Sequence, residues 1–187
     1  MLLFVGLGNP TPNSDNNRHN IGFKIIDAIN KKFSLSKQKP KFKGLLTTGN
    51  INKKKVYAIK PLTFMNNSGI CIRELIEYFK IESENVIVFH DDLDIDFGKI
   101  KAKFSGSSAG HNGIESIDRF IGKDYSRVRI GIGKPSSKTN TSDYVLKDFD
   151  EEEKIKLEKI TENITDSLSI LLDKKLDLFS STVNNKQ

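Results

Sequence analysis

The chain has 187 residues, 36 % of them hydrophobic and 29 % charged, an ordinary soluble globular composition for one domain able to bury a core. No apolar run approaches the roughly 18 residues of a membrane span, the opening MLLFVGL lacks a basic flank and is cut by glycine too early for a signal peptide, and the single cysteine, Cys71, excludes an internal disulfide and suits a reducing cytoplasm. With 30 basic against 24 acidic side chains the net charge is +6, which favours a polyanionic partner, although lysine and asparagine abound throughout and charge alone does not separate nucleic-acid binding from a compositional habit.

The first element is an apolar run, Leu2 to Val5, broken at Gly6, Gly8 and Pro10 and followed by a polar loop that ends in Arg18-His19-Asn20. This predicts a buried strand, a loop and a helix, with the loop at the carboxyl end of the strand, where open α/β sheets bind ligands. Asn20 stands where an N-cap belongs, ahead of Gly22, Ile25, Ile26, Ile29 and Phe33 at helical spacing. Lys37 to Lys43 reads as exposed loop leading into a strand with Leu45 and Leu46, and Asn50 to Lys55 as a hairpin turn before the strand Val56 to Ile59.

Pro61 to Ser68 is a second loop at a strand's carboxyl end, followed by a helix with Ile72, Leu75, Ile76 and Phe79 on one face. Val86 to Phe89 suits a strand buried on both faces and ends in His90-Asp91-Asp92. Gly98 to Phe104 alternates, with Ile100, Ala102 and Phe104 on one side and Lys99, Lys101 and Lys103 on the other. After the small-residue loop Ser105 to Gly113, Ile114, Ile117 and Ile121 begin a helix, and Val128, Ile130 and Ile132 alternate with Arg127 and Arg129 in a strand. Ser136 to Ser142 is a candidate lid; Leu157, Ile160, Ile164, Leu168 and Leu171 predict one long helix, and the polar residues from Ser180 onward are expected to fray. Alternating strands and helices predict a single-domain three-layer α/β/α fold with a twisted, mixed, mostly parallel sheet: one domain over 1–187, with 134–149 lid-like and 150–187 a C-terminal helical region. The polar loops would then converge on one edge of the sheet.

Several of these loop residues can do chemistry. His19 and His111 stand at helix starts, where a turn or cap role competes with a catalytic one, and His90 reads as a packed strand-end residue. Asp91, Asp92 and Asp94 could form a solvated acidic turn or a divalent-metal site, but no second acidic cluster lies at a strand end and the histidine spacing matches no zinc pattern, so no metal is expected. A better account pairs one carboxylate with His19. It would fix the ring tautomer and raise the basicity of the other nitrogen, which can then take a proton from water. Gly6-Leu-Gly8 resembles the start of a dinucleotide fingerprint, but Thr11 replaces the third glycine and Pro10 and Pro12 block the helix start that the pyrophosphate needs, so no nucleotide cofactor is expected. Asn9, Asn66 and Asn112 offer donor and acceptor together, which suits holding a peptide backbone, and each also suits a turn. Phe64 and Met65 can pack inward or touch a base, and Lys99, Lys101, Lys103 and Arg129 could meet phosphates or solvent.

Together these stretches resemble the bacterial-type peptidyl-tRNA hydrolase family. The blocks that carry the resemblance, in order, are GLGNP at Gly6–Pro10, RHN-x-G at Arg18–Gly22, TFMN-x-SG at Thr63–Gly69, HDDLD at His90–Asp94, G-x-x-K-x-K at Gly98–Lys103, AGHNG at Ala109–Gly113 and R-x-RIGIG-x-P at Arg127–Pro135. The resemblance implies hydrolysis of the ester joining a peptide to the 3′-terminal ribose of tRNA, by a cytoplasmic monomer without metal or cofactor. It implies His19 as base, Asp91 as the carboxylate keeping it basic, and Asn9 as the amide that tells peptidyl-tRNA from aminoacyl-tRNA. It further implies substrate contacts at Phe64, Asn66 and Asn112, cleft neighbours at Met65 and His111, and a phosphate-binding patch at Lys101, Lys103 and Arg129. Thr11 and Ser14 stand where the family usually has glycine and tyrosine, so the tyrosine's substrate contact falls on Ser14. The alternative, a non-catalytic RNA-binding protein on the same fold, has no need of the His19 and Asp91 pair.

Overall fold

In the computed structural model, which describes residues 1–136 and 138–186, the elements follow in the order β1 (Leu2–Gly6), α1 (Ile21–Lys32), β2 (Lys39–Lys41), β3 (Gly44–Ile51), β4 (Lys54–Pro61), α2 (Ser68–Phe79), β5 (Val86–Asp92), β6 (Ile100–Phe104), α3 (Asn112–Ile121), β7 (Ser126–Gly131), α4 (Thr141–Val145), α5 (Glu151–Asp166), α6 (Leu168–Leu172) and α7 (Leu176–Asn185). Ser137, within the lid-like stretch read from the sequence, lies outside the described residues. The strands form one seven-stranded sheet in the order β2-β3-β4-β1-β5-β7-β6. Its centre, β4, β1, β5 and β7, is parallel; the hairpins β2-β3-β4 add antiparallel strands on one side, and β6, joined to β7 through α3, adds one on the other.

The alternation along β1 explains the three layers. Leu2 and Phe4 face α1 and the C-terminal helices, with Ile25, Ile26, Ile164 and Leu171 in that core. Leu3 and Val5 face the other way, onto Cys71, Ile72 and Leu75 of α2 and Ile114 and Ile117 of α3. A strand covered on both faces has no polar side to show, which is why β1 and the start of β5 read as unbroken apolar runs. Cys71 is buried, and burial pushes its thiol up to about 12, so it is an inert core residue.

Several expectations are corrected. The predicted hairpin turn narrows to Asn52 and Lys53, both at positive φ, as a two-residue turn with right-handed strand twist requires. Part of the expected Lys37 to Lys43 loop pairs as β2, whose lysines and Pro40 make a poor template for further strands. Phe104 does not join Ile100 and Ala102 inside: it ends β6 half exposed. The single long C-terminal helix breaks at Ser167, where the backbone turns to φ −97° and ψ 4°. The C-terminus does not fray from Ser180; it forms α7 and seals the outer edge of β6. Ser180 Oγ accepts from the Ala102 N–H at 2.7 Å, and the Asn184 amide bonds both the N–H and the C=O of Ile100 at 2.9 Å. Side-chain amides and hydroxyls thus take the place of a missing neighbouring strand.

Candidate active site

The site begins with a close approach. A Cβ on Gly22 would fall 2.3 Å from the Leu7 nitrogen and 2.4 Å from the Phe89 carbonyl oxygen, and one on Gly6 would fall 2.2 Å from the Gly22 carbonyl oxygen. Only glycine at both positions lets α1 start directly on the carboxyl ends of β1 and β5. The 3-10 turn Arg18–Asn20 just before α1 is therefore held over the end of β5.

There His19 Nδ1 lies 2.9 Å from both carboxylate oxygens of Asp91. Asp91 Oδ1 is also 2.9 Å from His111 Nε2. The tautomers follow from the partners. His111 caps α3: its Nδ1 accepts from the Gly113 and Ile114 N–H groups at 3.2 and 3.4 Å, so its proton sits on Nε2 and is donated to Asp91. His111 is thus a helix cap and a site residue at once. With His19 Nδ1–H committed to the same carboxylate, the nitrogen of His19 left to accept a proton is Nε2.

Burial and charge compete at both partners. Burial lowers the pKa of the His19 imidazole, but the facing Asp91 charge and its hydrogen bond outweigh it, leaving the ring above its ordinary value of 6.5. Burial raises that of Asp91, and the two histidines more than reverse it, holding the carboxyl well below the usual carboxylate range. His90 is different. It is buried in β5, donates Nδ1–H to the Asp91 carbonyl oxygen at 2.7 Å, and burial drives its pKa well below 6.5, so it stays a neutral packing residue.

The second loop, after β4, closes against the first. Asn9 Oδ1 accepts from the Met65 N–H at 2.9 Å, and the Asn20 side chain bonds both the N–H and the C=O of Asn9 at 2.9 Å. Asn20 is therefore not the side-chain N-cap expected of it; its amide is spent on fixing Asn9. Met65 is buried beneath this contact, whereas Phe64 is 55 % exposed at φ 60° and ψ 160°. A phenylalanine in that region costs about 1–3 kcal/mol, and such strain gathers at ligand clamps. Asn66 is exposed, and Asn112 is exposed at the first turn of α3.

A cavity of about 280 Å³ opens beside these groups, lined among others by His19, Asp91, His111, Asn112, Thr141 and Ser142. Ser14 does not line it; it is buried inside the first loop with its hydroxyl bonded to that of Thr11. A larger groove of about 740 Å³ between α1 and α5 holds Lys24, Lys31, Lys154 and Glu158 but no strand-end residue. The basic residues lie on the antiparallel strand pair β6 and β7, where Lys101 pairs in register with Arg129. Lys101 is exposed, and Arg129 donates Nε–H to Asp92 Oδ2 at 2.7 Å. Burial and the nearby Arg129 and Arg127 lower the pKa of Lys103. Arg127 is structural: fully buried, it pairs with Asp118 and the Ser107 carbonyl oxygen, each at 2.8 Å. Asp92 and Asp94 do not converge with Asp91; they pair with Arg129 and Lys134. Among the described residues the three atoms within cation-binding reach are instead those of His19, Asp91 and His111, within 4.8 Å of one another, and a cation there would displace the ring protons that Asp91 accepts.

The sequence reading gave Arg18 no role of its own and Asn20 only that of a helix cap, although both flank His19 in the same block; Thr141 and Ser142, expected only as part of a lid, line the cavity from α4. Comparison with known proteins gives the family. The family model described as peptidyl-tRNA hydrolase matches residues 3–187. The chain is 82 % identical over 186 residues to a peptidyl-tRNA hydrolase of Pelagibacter ubique (strain HTCC1062), covering 100 % of both chains, and 45 % identical over 183 residues to that of Ehrlichia canis (strain Jake), covering 98 % and 94 %. A solved peptidyl-tRNA hydrolase from Acinetobacter baumannii superposes with a TM-score of 0.91 at 32 % identity, covering 98 % of this chain and 94 % of that one.

Proposed function

Since the chain belongs to the peptidyl-tRNA hydrolase family, we propose that His19 is the base, Asp91 its orienting partner and Asn9 the amide that recognises substrate in a reaction that releases tRNA and peptide. The protein is an ester hydrolase acting on peptidyl-tRNA. The observation that carries it is the 2.9 Å contact of His19 Nδ1 with both oxygens of Asp91 at the cavity wall.

In this reading His19 Nε2 removes a proton from water as the oxygen attacks the ester carbonyl. Asp91 holds the ring in the Nδ1–H tautomer and stabilises the imidazolium that forms, while His111 keeps Asp91 in place. Asn9, fixed through its oxygen by Met65, presents its NH₂ to the peptide. Phe64, Asn66 and Asn112 contact the acceptor end and peptide, Met65 backs Asn9 from below as a neighbour of the cleft, and Ser14 acts through the shape of the first loop rather than as an aromatic contact. The cavity admits only the ester-bearing end of a tRNA, so the rest lies across the surface. Lys101, Lys103 and Arg129 are the phosphate contacts nearest at hand. Residues 134–149 serve as the lid, 150–187 as the helical layer behind it, and the chain works as a single domain. We propose that it works as a monomer. Among the described residues no helix is long and apolar enough to cross a membrane. A peptidyl-tRNA substrate supports the reading that the protein works in the cytoplasm.

The test is release of free tRNA from N-blocked aminoacyl-tRNA, with unblocked aminoacyl-tRNA as control and a chelator present. We expect turnover of the blocked substrate only, at a rate the chelator leaves unchanged. Loss of activity on chelation, restored by a divalent cation, would favour a metal held by His19, Asp91 and His111 instead.

The phosphate patch has its own signature. Each neutralised phosphate contributes a slope of about −0.7 to −0.9 to log affinity against log salt. Replacing Lys101 and Lys103 together by glutamine should flatten the measured slope by one to two such increments while leaving the turnover number near its parent value. An unchanged slope would move the phosphate path elsewhere.

A further inference from the structure

We infer that Arg18, the residue before the proposed base, is a positioning residue that ties His19 to the opposite wall of the cavity. Four sets of contacts converge on it. Its Nη1 donates to the carbonyl oxygens of Lys147 and Asp148 at 3.2 and 2.6 Å. Its Nη2 donates to both carboxylate oxygens of Glu153 at 3.0 and 2.8 Å. The guanidinium lies against two rings, 4.6 Å from the centroid of Tyr144 and 5.2 Å from that of Phe149. The backbone is joined as well: Arg18 N–H donates to the Lys147 carbonyl at 3.0 Å, Phe149 N–H to the Asn16 carbonyl at 3.1 Å, and Asn17 and Asp148 form an antiparallel bridge.

These contacts link three parts that the sequence separates. The segment gripped by Arg18 continues directly from α4, whose Thr141, Ser142 and Val145 line the cavity beside His19. Tyr144, which flanks the guanidinium, also donates its hydroxyl to the Ile132 carbonyl at 2.7 Å, just beyond β7. Glu153 belongs to the capping box at the start of α5, where its Oε2 accepts the Asp150 N–H at 2.9 Å. One side chain, only 10 % exposed, therefore joins the backbone that carries His19, the α4 wall and the N-terminus of α5. A surface cation that served only to bind RNA phosphates would not spend four N–H groups internally.

The consequence is kinetic. The distance between His19 Nε2 and whatever fills the cavity is set from both sides by the same guanidinium. A shift of about 1 Å in such a geometry can cost 10²-fold in rate without loosening substrate. Arg18→Lys keeps the charge but replaces a planar five-donor fork by a compact ammonium, which cannot hold a carboxylate and two carbonyls together. Glu153→Gln removes the charge from the far end of the clamp, at a residue that does not line the cavity.

The inference rests on the reading of His19 as base, and the experiment separates the two. For Arg18→Lys, Glu153→Gln and His19→Ala, kcat and KM are measured on N-blocked aminoacyl-tRNA across pH, with thermal melting as the check of folding. We expect Arg18→Lys and Glu153→Gln to melt within a few degrees of the parent, to lose about tenfold or more in kcat with KM within about twofold, and to move the rising limb of the pH profile to lower pH as His19 slips from Asp91. Unchanged kcat and limb in a folded variant, or a loss carried by KM alone, overturns the positioning role. If Arg18→Lys does not fold, Glu153→Gln decides the matter by the same criteria. A fully active His19→Ala removes the base itself. An inactive His19→Ala beside unaffected Arg18→Lys and Glu153→Gln removes only the clamp.

Discussion

Replacing His19 by alanine is expected to leave a folded protein that turns over peptidyl-tRNA about 10²–10⁴-fold more slowly, the range that a positioned proton acceptor contributes. Folding should survive because Asp91 keeps one donor, His111 Nε2–H, itself held by the N-terminus of α3. The lost charge-assisted hydrogen bond costs about 1.5–3 kcal/mol, less than the total stability of an ordinary domain. Binding of tRNA should change little, since the phosphate contacts proposed lie on the β6-β7 strand pair. Melting, tRNA affinity and single-turnover hydrolysis together check this. A variant that hydrolyses at the parent rate would take the base away from His19.

Much of the layout was legible in the chain because burial on two faces leaves an unmistakable apolar run. β1 and the start of β5 were visible for that reason, and α1 announced itself by its spacing. What escaped was set by partners distant in the sequence. Ser180 and Asn184 look like the polar end of a fraying tail until β6 offers them an unpaired edge. The break at Ser167 leaves Leu157, Ile160, Ile164, Leu168 and Leu171 all buried, so their spacing is right while the continuity it suggested is not.

The site divides along the same line. The resemblance pointed to His19, Asp91 and Asn9, and the first two do meet; that proximity cannot be read from spacing, because it depends on β1 and β5 being neighbours and on a glycine at 22. His111 invited a choice between cap and cleft that the fold does not require: one ring nitrogen serves each. Ser14 went the other way, into the loop beside Thr11, because a short hydroxyl finds its partner nearby where a tyrosine would have to reach outward. Arg18 was hidden by company. The RHN block marked Arg18 without giving it a role, and in a chain of 30 basic residues only its buried contacts set it apart.

Asp91→Asn should be the more diagnostic substitution, because it changes the pH profile as well as the rate. In the parent, Asp91 lifts the His19 imidazole above 6.5 against the pull of burial. The base works unprotonated, so the rate should climb with pH through that raised value, placing the rising limb above pH 6.5. Asparagine keeps the shape but removes the charge, leaving burial as the main influence on His19, and the limb should move down. The plateau should fall at the same time, by about 10²–10⁴-fold, because an amide can turn its NH₂ toward Nδ1 and place the ring proton on Nε2, where the attacking water needs an acceptor. KM should stay near the parent value, since Asp91 is buried under the two rings and meets the cavity mainly through them. A lower plateau with an unmoved limb would mean that Asp91 orients His19 without setting its basicity. A normal kcat with weakened tRNA binding would overturn the assignment altogether.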